Sequence, residues 1–258
     1  MTEHLAILDG VVMDVAQAQI PVTDEGLLRG DGVFEVVHLY DGRPFALEEH
    51  LERMARSAAS LRLPFEIDAM RDDAEQLLEM SEPAEGALRL LVTRGGRRIG
   101  IVEQLHALPD TVALATVTYT PTRVLDGVKS LSYAANMLAT RLAKEQGADE
   151  ALLVTPHGRV LEGPTTSFFY VLDGALYTPP LEERILDSIT RRALFAVTDA
   201  SERITTRDDL REISEAFLAS SAREVQPVHA IDDAAIAAPG PLSLDAAKRV
   251  REYIEARL

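Results

Sequence analysis

Residues 126–136 read Asp126-Gly127-Val128-Lys129-Ser130-Leu131-Ser132-Tyr133-Ala134-Ala135-Asn136. Lys129 is the only charged residue between Asp126 and Arg141. Its neighbours are apolar or small, and the segment reads as extended chain. An ammonium in such a setting is costly to bury without a partner. Burial lowers the pKa of the amine and frees it as a nucleophile, which is what Schiff-base chemistry needs. The same position also reads as a lysine that snorkels at a domain edge. The stretch divides the chain as well. Thr120 to Gly127, with Pro121 and Asp126-Gly127, reads as a linker, and the patterns on its two sides differ.

Upstream, two Asp-Gly pairs mark hairpins. Asp9-Gly10 lies between Ala6–Leu8 and Val11–Met13, and Asp41-Gly42 lies between Val33–Tyr40 and Arg43–Ala46. Leu47, Leu51, Met54, Ala58 and Leu61 recur at three- and four-residue spacing, which predicts a helix over 47–61 that Pro64 ends. Ile67, Met70, Ala74, Leu77 and Leu78 outline a second helix. Residues 88–93 and 112–119 read as strands. Downstream, 134–145 reads as a helix. Residues 151–154 and 160–161 form a hairpin around Pro156-His157-Gly158, and 168–172 with 175–177 form another around Asp173-Gly174. A helix starts near Ser188, 215–219 is a strand, and a last helix takes Ser243 as its N-cap. Strands and helices mixed in two halves give an α+β chain with domains over 1–119 and 128–258 joined by 120–127. No fixed repeat interrupts this pattern.

Composition bounds the function. The chain has 258 residues, 47% of them hydrophobic, enough for a sizeable core. Its formal net charge is −16, which argues against nucleic acid or an anionic membrane as partner. There is no cysteine, so disulfides, thiolate chemistry and cysteine zinc sites are excluded, and cytoplasmic residence fits. No apolar stretch reaches the ~18 residues of a membrane span. Met1 to Asp9 carries Glu3 and Asp9 and no basic residue, so it does not read as a signal peptide. Only three of the 26 basic residues are lysines, and Lys144 and Lys248 lie in charged helical stretches.

Five further places are candidates for chemistry. Glu162 follows Val160-Leu161 and precedes Gly163-Pro164-Thr165-Thr166-Ser167. A carboxylate there pairs with a buried cation or faces water at a strand end. Ser188-Ile189-Thr190 opens a helix, whose first N–H groups either hold an anion or are simply capped. Ser220-Ser221-Ala222-Arg223 follows a strand and reads as a phosphate cradle or a plain loop. Arg53 lies beside Met54 at the border of an otherwise apolar helix face, with His50 one turn earlier, a place where an arginine stem also simply covers core surface. Arg29, Arg94, Arg97 and Arg98 lie near glycines, as solvated charges or carboxylate binders.

In order, these segments resemble the fold-type IV pyridoxal-phosphate enzymes. That family includes D-amino acid transaminases, branched-chain aminotransferases and aminodeoxychorismate lyases. The resemblance runs through Gly30-Asp31-Gly32-Val33-Phe34-Glu35, His50-Leu51-Glu52-Arg53, Lys129-Ser130-Leu131, Asp149–Leu153, Leu161-Glu162-Gly163, Ile189-Thr190-Arg191 and Ala222–Val228. It implies pyridoxal 5′-phosphate as cofactor. Lys129 matches the lysine that forms the internal aldimine and shuttles the proton, and Glu162 the carboxylate on the pyridine N–H. Arg53, Ile189, Thr190 and Ser221 match the phosphate-binding positions, and Tyr133 falls near the aromatic beside the phenolic oxygen. The resemblance also implies two α+β domains with the active site in the cleft between them, and a homodimer. The family's Ser-Asn after the Glu-Gly turn is Thr166-Ser167 here, and its Gly before Ile-Thr is Ser188.

The reaction this implies is amino transfer between an amino acid and a 2-oxo acid. Gly30–Val36 looks more like the D-amino acid branch than the branched-chain one. Phe34 and Ala222 fall at substrate positions. Arg29 with Arg97 or Arg98 is the expected clamp on the substrate carboxylate, because the Arg-x-His trap of some D-amino acid transaminases is not evident after Thr93-Arg94-Gly95. The alternatives are a branched-chain L-amino acid aminotransferase and a lyase that eliminates pyruvate from aminodeoxychorismate.

Overall fold

The first corner of the chain is set by Asp9-Gly10. Their φ angles of 52° and 86° are both left-handed, as a type I′ turn requires. Strand β1 (Leu5–Leu8) therefore returns as β2 (Val11–Asp14), with Leu8 opposite Val11. Helix α1 (Glu25–Arg29) leads to β3 (Gly32–Tyr40), and Asp41-Gly42 repeats the corner into the short β4 (Arg43–Pro44). The computed structural model describes residues 5–82, 85–105 and 107–258. Met1 to His4, part of the stretch read for a signal peptide, lie outside the described residues.

Helix α2 (Leu47–Leu61) spans the residues its spacing predicts. It ends at Arg62, whose left-handed backbone donates to the carbonyls of Ala58 and Ala59, before Pro64 is reached. Helix α3 (Ile67–Met80) follows, then β5 (Gly86–Thr93) and β6 (Arg98–Glu103). The pattern of the sequence missed β6, because Gly100 interrupts its apolar residues and charges close both ends. These strands form one antiparallel sheet in the order β2-β1-β6-β5-β3-β4. Leu51, Met54 and Ala58 of α2 and Met70, Ala74 and Leu77 of α3 pack with Ile7, Val37, Leu88 and Leu90 of that sheet.

The second unit opens with β7 (Val112–Thr118) and a 3₁₀ turn at Arg123–Leu125. Helix α4 (Ala134–Glu145) precedes β8 (Glu150–Val154), β9 (Ser167–Leu172) and β10 (Ala175–Thr178). Helix α5 (Ile189–Val197), β11 (Ser201–Glu202), β12 (Glu215–Ser220), β13 (Glu224–Ile231), β14 (Ala234–Ala235) and α6 (Pro241–Glu255) complete it. The sheet runs β11-β10-β9-β12-β13-β7-β8, with β14 on β13. The pairs β13–β7 and β7–β8 are parallel. Phe168, Tyr170, Leu152, Leu218 and Val228 lie in its core, and Ala139 and Ala143 of α4 pack with Ala151, Leu153 and Leu161.

The hairpin around Pro156-His157-Gly158 forms as expected, with Val160 and Leu161 bonded back to Val154 and Leu153. Two differences from the sequence reading have plain causes. The last helix begins at Pro241 with Gly240 as N-cap, not at Ser243. Proline suits the first helical position because it lacks the N–H that would go unused there. Ser243 Oγ instead reaches back to accept from the Gly240 N–H at 2.9 Å. The division of the chain also differs from 1–119, 120–127 and 128–258. One unit contains residues 1–106, 128–133 and 257–258, and the other 107–127 and 134–256. The strand β7 pairs across a helix with β8, a partnership that no local pattern reveals. No helix among the described residues is long and apolar enough to cross a membrane.

Candidate active site

Lys129 is fixed by its backbone. Its carbonyl accepts from the Phe34 N–H at 3.1 Å, and the Leu131 N–H donates to the Gly32 carbonyl at 2.8 Å. Val33 and Ser130 form an antiparallel bridge, so residues 129–131 run along the start of β3. A Cβ on Gly32 would lie 2.5 Å from Leu131 Cδ1 and 2.4 Å from the Val92 carbonyl, so only glycine permits this approach. Ser57 of α2 accepts from the Lys129 N–H at 3.2 Å. The side chain is half-buried, with Nζ 4.4 Å from the centre of the Phe34 ring and 6.0 Å from that of Tyr133. The two rings meet edge to face at 5.1 Å. The lysine is therefore held against aromatic faces, between the two readings its sequence context left open.

Arg53 projects from the same unit into a buried ionic group. Its Nε and Nη2 donate to the two carboxylate oxygens of Glu35 at 2.7 and 2.6 Å. His50 Nδ1 lies 2.8 Å from Glu35 Oε2. Glu35 is fully buried and His50 and Arg53 nearly so. Burial pushes the Glu35 carboxyl upward, but the Arg53 charge and the hydrogen bonds of Arg53 and His50 outweigh it and hold the pKa down to about 2. Burial lowers the His50 pKa, against the Glu35 hydrogen bond that raises it. The ring is then neutral, with Nδ1–H donating to the carboxylate. Sequence reasoning singled out Arg53 and its neighbour His50 but not Glu35. The signal was a single carboxylate inside the apolar run Val33–Leu39.

In the second unit, Glu162 Oε1 accepts from the Leu186 N–H at 3.0 Å. Tyr119 titrates high because it is buried and because the Glu162 charge acts on it. The turn after Glu162 closes through the Gly163 N–H and the Thr166 carbonyl at 2.9 Å. Asn136 Nδ2 donates to the Pro164 carbonyl at 2.8 Å. Thr166 Oγ1 and Ser167 Oγ are buried with no protein hydrogen-bond partner. Ser188 caps α5 by accepting from the Arg191 N–H at 3.0 Å, so the capping role is real. Ile189 and Thr190 are the buried first residues of that helix, where N–H groups have no partner within it. Ser221 and Ala222 occupy the turn from β12 to β13, closed by the Arg223 N–H on the Ser220 carbonyl at 3.1 Å.

The three arginines expected at the substrate carboxylate each answer a carboxylate of their own unit. Arg29 pairs with Glu25 one turn earlier on exposed α1. Arg97 Nη1 reaches Asp9 at 2.6 Å, and Arg98 Nε reaches Asp73 at 2.7 Å. Arg94 forks onto Asp31 and also donates to the carbonyls of Leu61 and Arg62. Phe34, expected at the substrate, is buried beneath Lys129 Nζ.

Comparison with known proteins bears on the whole chain. The family model for amino-transferase class IV matches residues 32–231. A putative branched-chain-amino-acid aminotransferase of Methanocaldococcus jannaschii is 34% identical over 250 residues, which cover 87% of each chain. D-alanine aminotransferase of Bacillus licheniformis is 29% identical over 262 residues and 92% of each chain. A solved structure of a hypothetical aminotransferase from Mycobacterium tuberculosis, in an alpha-ketoglutarate- and PMP-bound form, aligns with a TM-score of 0.90. It is 30% identical and covers 98% of this chain and 99% of its own.

Proposed function

Since this chain belongs to the class IV aminotransferases, we propose that it moves an amino group between a D-amino acid and a 2-oxo acid, with pyridoxal 5′-phosphate as cofactor. The residues fit that group by their chemistry. Lys129 offers a primary amine against aromatic faces, Glu162 a carboxylate, and α5 a capped N-terminus. The unpartnered hydroxyls of Thr166 and Ser167 leave hydrogen-bonding capacity in the turn after Glu162. When bound, the cofactor supplies an aldehyde that bonds amines and a ring that takes up the electron pair released at the substrate α-carbon.

The protein's own groups do the rest. Lys129 would hold the cofactor through its Nζ amine and would serve as the base for the proton on the substrate α-carbon. Glu162 would accept a hydrogen bond from the ring nitrogen. Arg53, the first N–H groups of α5 at Ile189 and Thr190, and the Ser221 hydroxyl would take the phosphate. Tyr133 would lie near the phenolic oxygen. Phe34, Ala222 and the arginines 29, 97 and 98 are assigned to the substrate, and for these arginines the carboxylate partners described above must first be released or shared. The enzyme acts as a homodimer in the cytoplasm, a placement that its cysteine-free composition favours.

The observation that carries this reading is the fixing of Lys129 by two hydrogen bonds at its own backbone, to Phe34 and Ser57, and one at Leu131, while its amine rests on Phe34. The D preference is supported by the Gly30–Val36 segment and by the D-alanine aminotransferase relative. The branched-chain reading is favoured instead by the relative at 34% identity. The test is the visible spectrum of protein reconstituted with pyridoxal phosphate, wild type beside Lys129→Ala, before and after D-alanine and then L-leucine. A yellow band that needs Lys129 and is bleached by D-alanine is expected. Bleaching by L-leucine alone selects the branched-chain reading. Bleaching by neither, with 4-aminobenzoate formed from aminodeoxychorismate, selects the lyase. No lysine-dependent band removes Lys129 from its role. In turnover, Lys129→Ala should cost at least about 10³-fold.

A further inference from the structure

The turn that carries Ser221 and Ala222 is built under constraint. It joins β12 to β13 with Ser220 opposite Glu224, and Glu224 sits at φ 53°, a left-handed conformation that costs a non-glycine residue energy. Such a conformation persists only where its surroundings hold it. Here the holders are Arg223 of the turn, Gln226 of its downstream arm and Arg251 of α6. Arg223 Nη2 donates to Glu150 Oε2 at 3.2 Å, and Nη1 donates to Gln226 Oε1. Gln226 is buried and passes its own Nε2–H to the Pro109 carbonyl at 2.8 Å. Arg251 of α6 pairs with Glu224 at 2.8 Å.

Glu150 is itself fixed. It stands at the start of β8, buried, and its Oε1 accepts from Thr140 Oγ1 at 2.6 Å and from the Ala151 N–H at 3.1 Å. One carboxylate oxygen is thus tied to α4 and its own strand while the other holds Arg223. A guanidinium gripped on two sides cannot swing toward solvent without leaving Glu150 and Gln226 unsatisfied, and a buried unsatisfied group is costly.

We infer that Arg223 is a positioning residue: through Glu150 and Gln226 it fixes the Ser221–Ala222 turn in the shape that receives the cofactor's phosphate. This rests on the reading that assigns Ser221 to the phosphate. Arg223 touches neither cofactor nor substrate in this assignment. Its effect is on the geometry of its neighbours, much as groups behind a metal ligand set that ligand's aim and change affinity by roughly 10- to 100-fold when removed.

The experiment compares dissociation constants of pyridoxal phosphate and of unphosphorylated pyridoxal, measured by absorbance titration of apoprotein, for wild type and for Arg223→Ala, Arg223→Lys, Glu150→Gln and Ser221→Ala. Thermal midpoints of the apoproteins are recorded beside them. Arg223→Ala is expected to weaken pyridoxal phosphate about tenfold and leave pyridoxal unchanged. Glu150→Gln should do the same to a smaller degree, and Arg223→Lys should recover part of the loss. Equal weakening of both ligands, or a lowered thermal midpoint with unchanged phosphate-dependent affinity, overturns the inference. If Arg223→Ala does not fold, Glu150→Gln and Arg223→Lys carry the same comparison. Loss in Ser221→Ala without loss in the Arg223 and Glu150 variants refutes the inference alone. No loss in Ser221→Ala refutes the phosphate reading of Ser221, and the inference with it.

Discussion

The two units prepare for charge in opposite ways. In the first, Arg53 is neutralised in advance by Glu35, which is itself held by His50, and all three are buried. In the second, the assigned binding groups are a helix start, hydroxyls and a carboxylate that receives a backbone N–H. A buried ion pair is rigid but leaves a stranded charge if one member is lost. A helix start with hydroxyl neighbours loses only one hydrogen bond at a time. The first arrangement makes one residue decisive for stability, and the second spreads the work.

The largest effect should therefore come from Glu35→Gln. The substitution keeps the shape of the side chain and strips its charge, so the buried Arg53 loses the carboxylate charge it forks onto. Urea unfolding should show a loss of about 3–5 kcal/mol. A loss below about 1 kcal/mol would mean that Arg53 finds water or another anion, and the contrast between the units would disappear.

Acid should expose the same group at a lower cost. Both His50 and Glu35 have folded pKa values below their ordinary ones, Glu35 at about 2. The unfolded chain therefore binds protons first as pH falls, and stability declines with acid. His50 contributes in full above about 6.5 and its share is lost below that pH, while the share of Glu35 is lost from about 4.3 down toward 2. Each group contributes a slope of up to about 1.4 kcal/mol per pH unit. Urea midpoints measured between pH 7.5 and 5 should fall, and His50→Gln should flatten that part of the profile. A wild-type profile that is already flat over this range would contradict the neutral, buried state of His50.

The smallest effect belongs to the second unit. Ser188→Ala removes the hydroxyl that caps Arg191 at the start of α5 and should cost about 1 kcal/mol in urea unfolding. A cost equal to that of Glu35→Gln would show that the second unit also hangs on single residues.

How much of this was legible depended on how local the cause was. The two Asp-Gly corners, the faces of α2 and α3 and the cap of α5 each follow from a few adjacent residues, and each was read correctly. The strand β6 was missed because Gly100 breaks its alternation. The start of α6 was misplaced because Ser243 looks like a cap until Gly240-Pro241 claims the position. Among the proposed site residues, Lys129 and Glu162 stand out as single charges beside apolar residues, and Arg53 by its place at the border of an apolar helix face. Glu35 carried the same signal but was passed over. What holds Arg223 could not be read, since Glu150 lies 73 residues away along the chain. The carboxylate partners of Arg97 and Arg98 were hidden in the same manner, for Asp9 and Asp73 meet them only through the pairing of β1 with β6 and the packing of α3.

The path of the chain through residues 128–133 has an engineering consequence. The segment that bears Lys129 belongs to the first unit, although residues 107–127 before it and 134–256 after it belong to the second. Neither unit is one uninterrupted length of polypeptide. A gene fragment ending at residue 106 would encode the first sheet without its lysine, and one starting at 134 would encode the second without β7. Recombination at the obvious midpoint would thus yield no self-sufficient half, and exchange of parts with a relative has to respect four crossings of the chain rather than one.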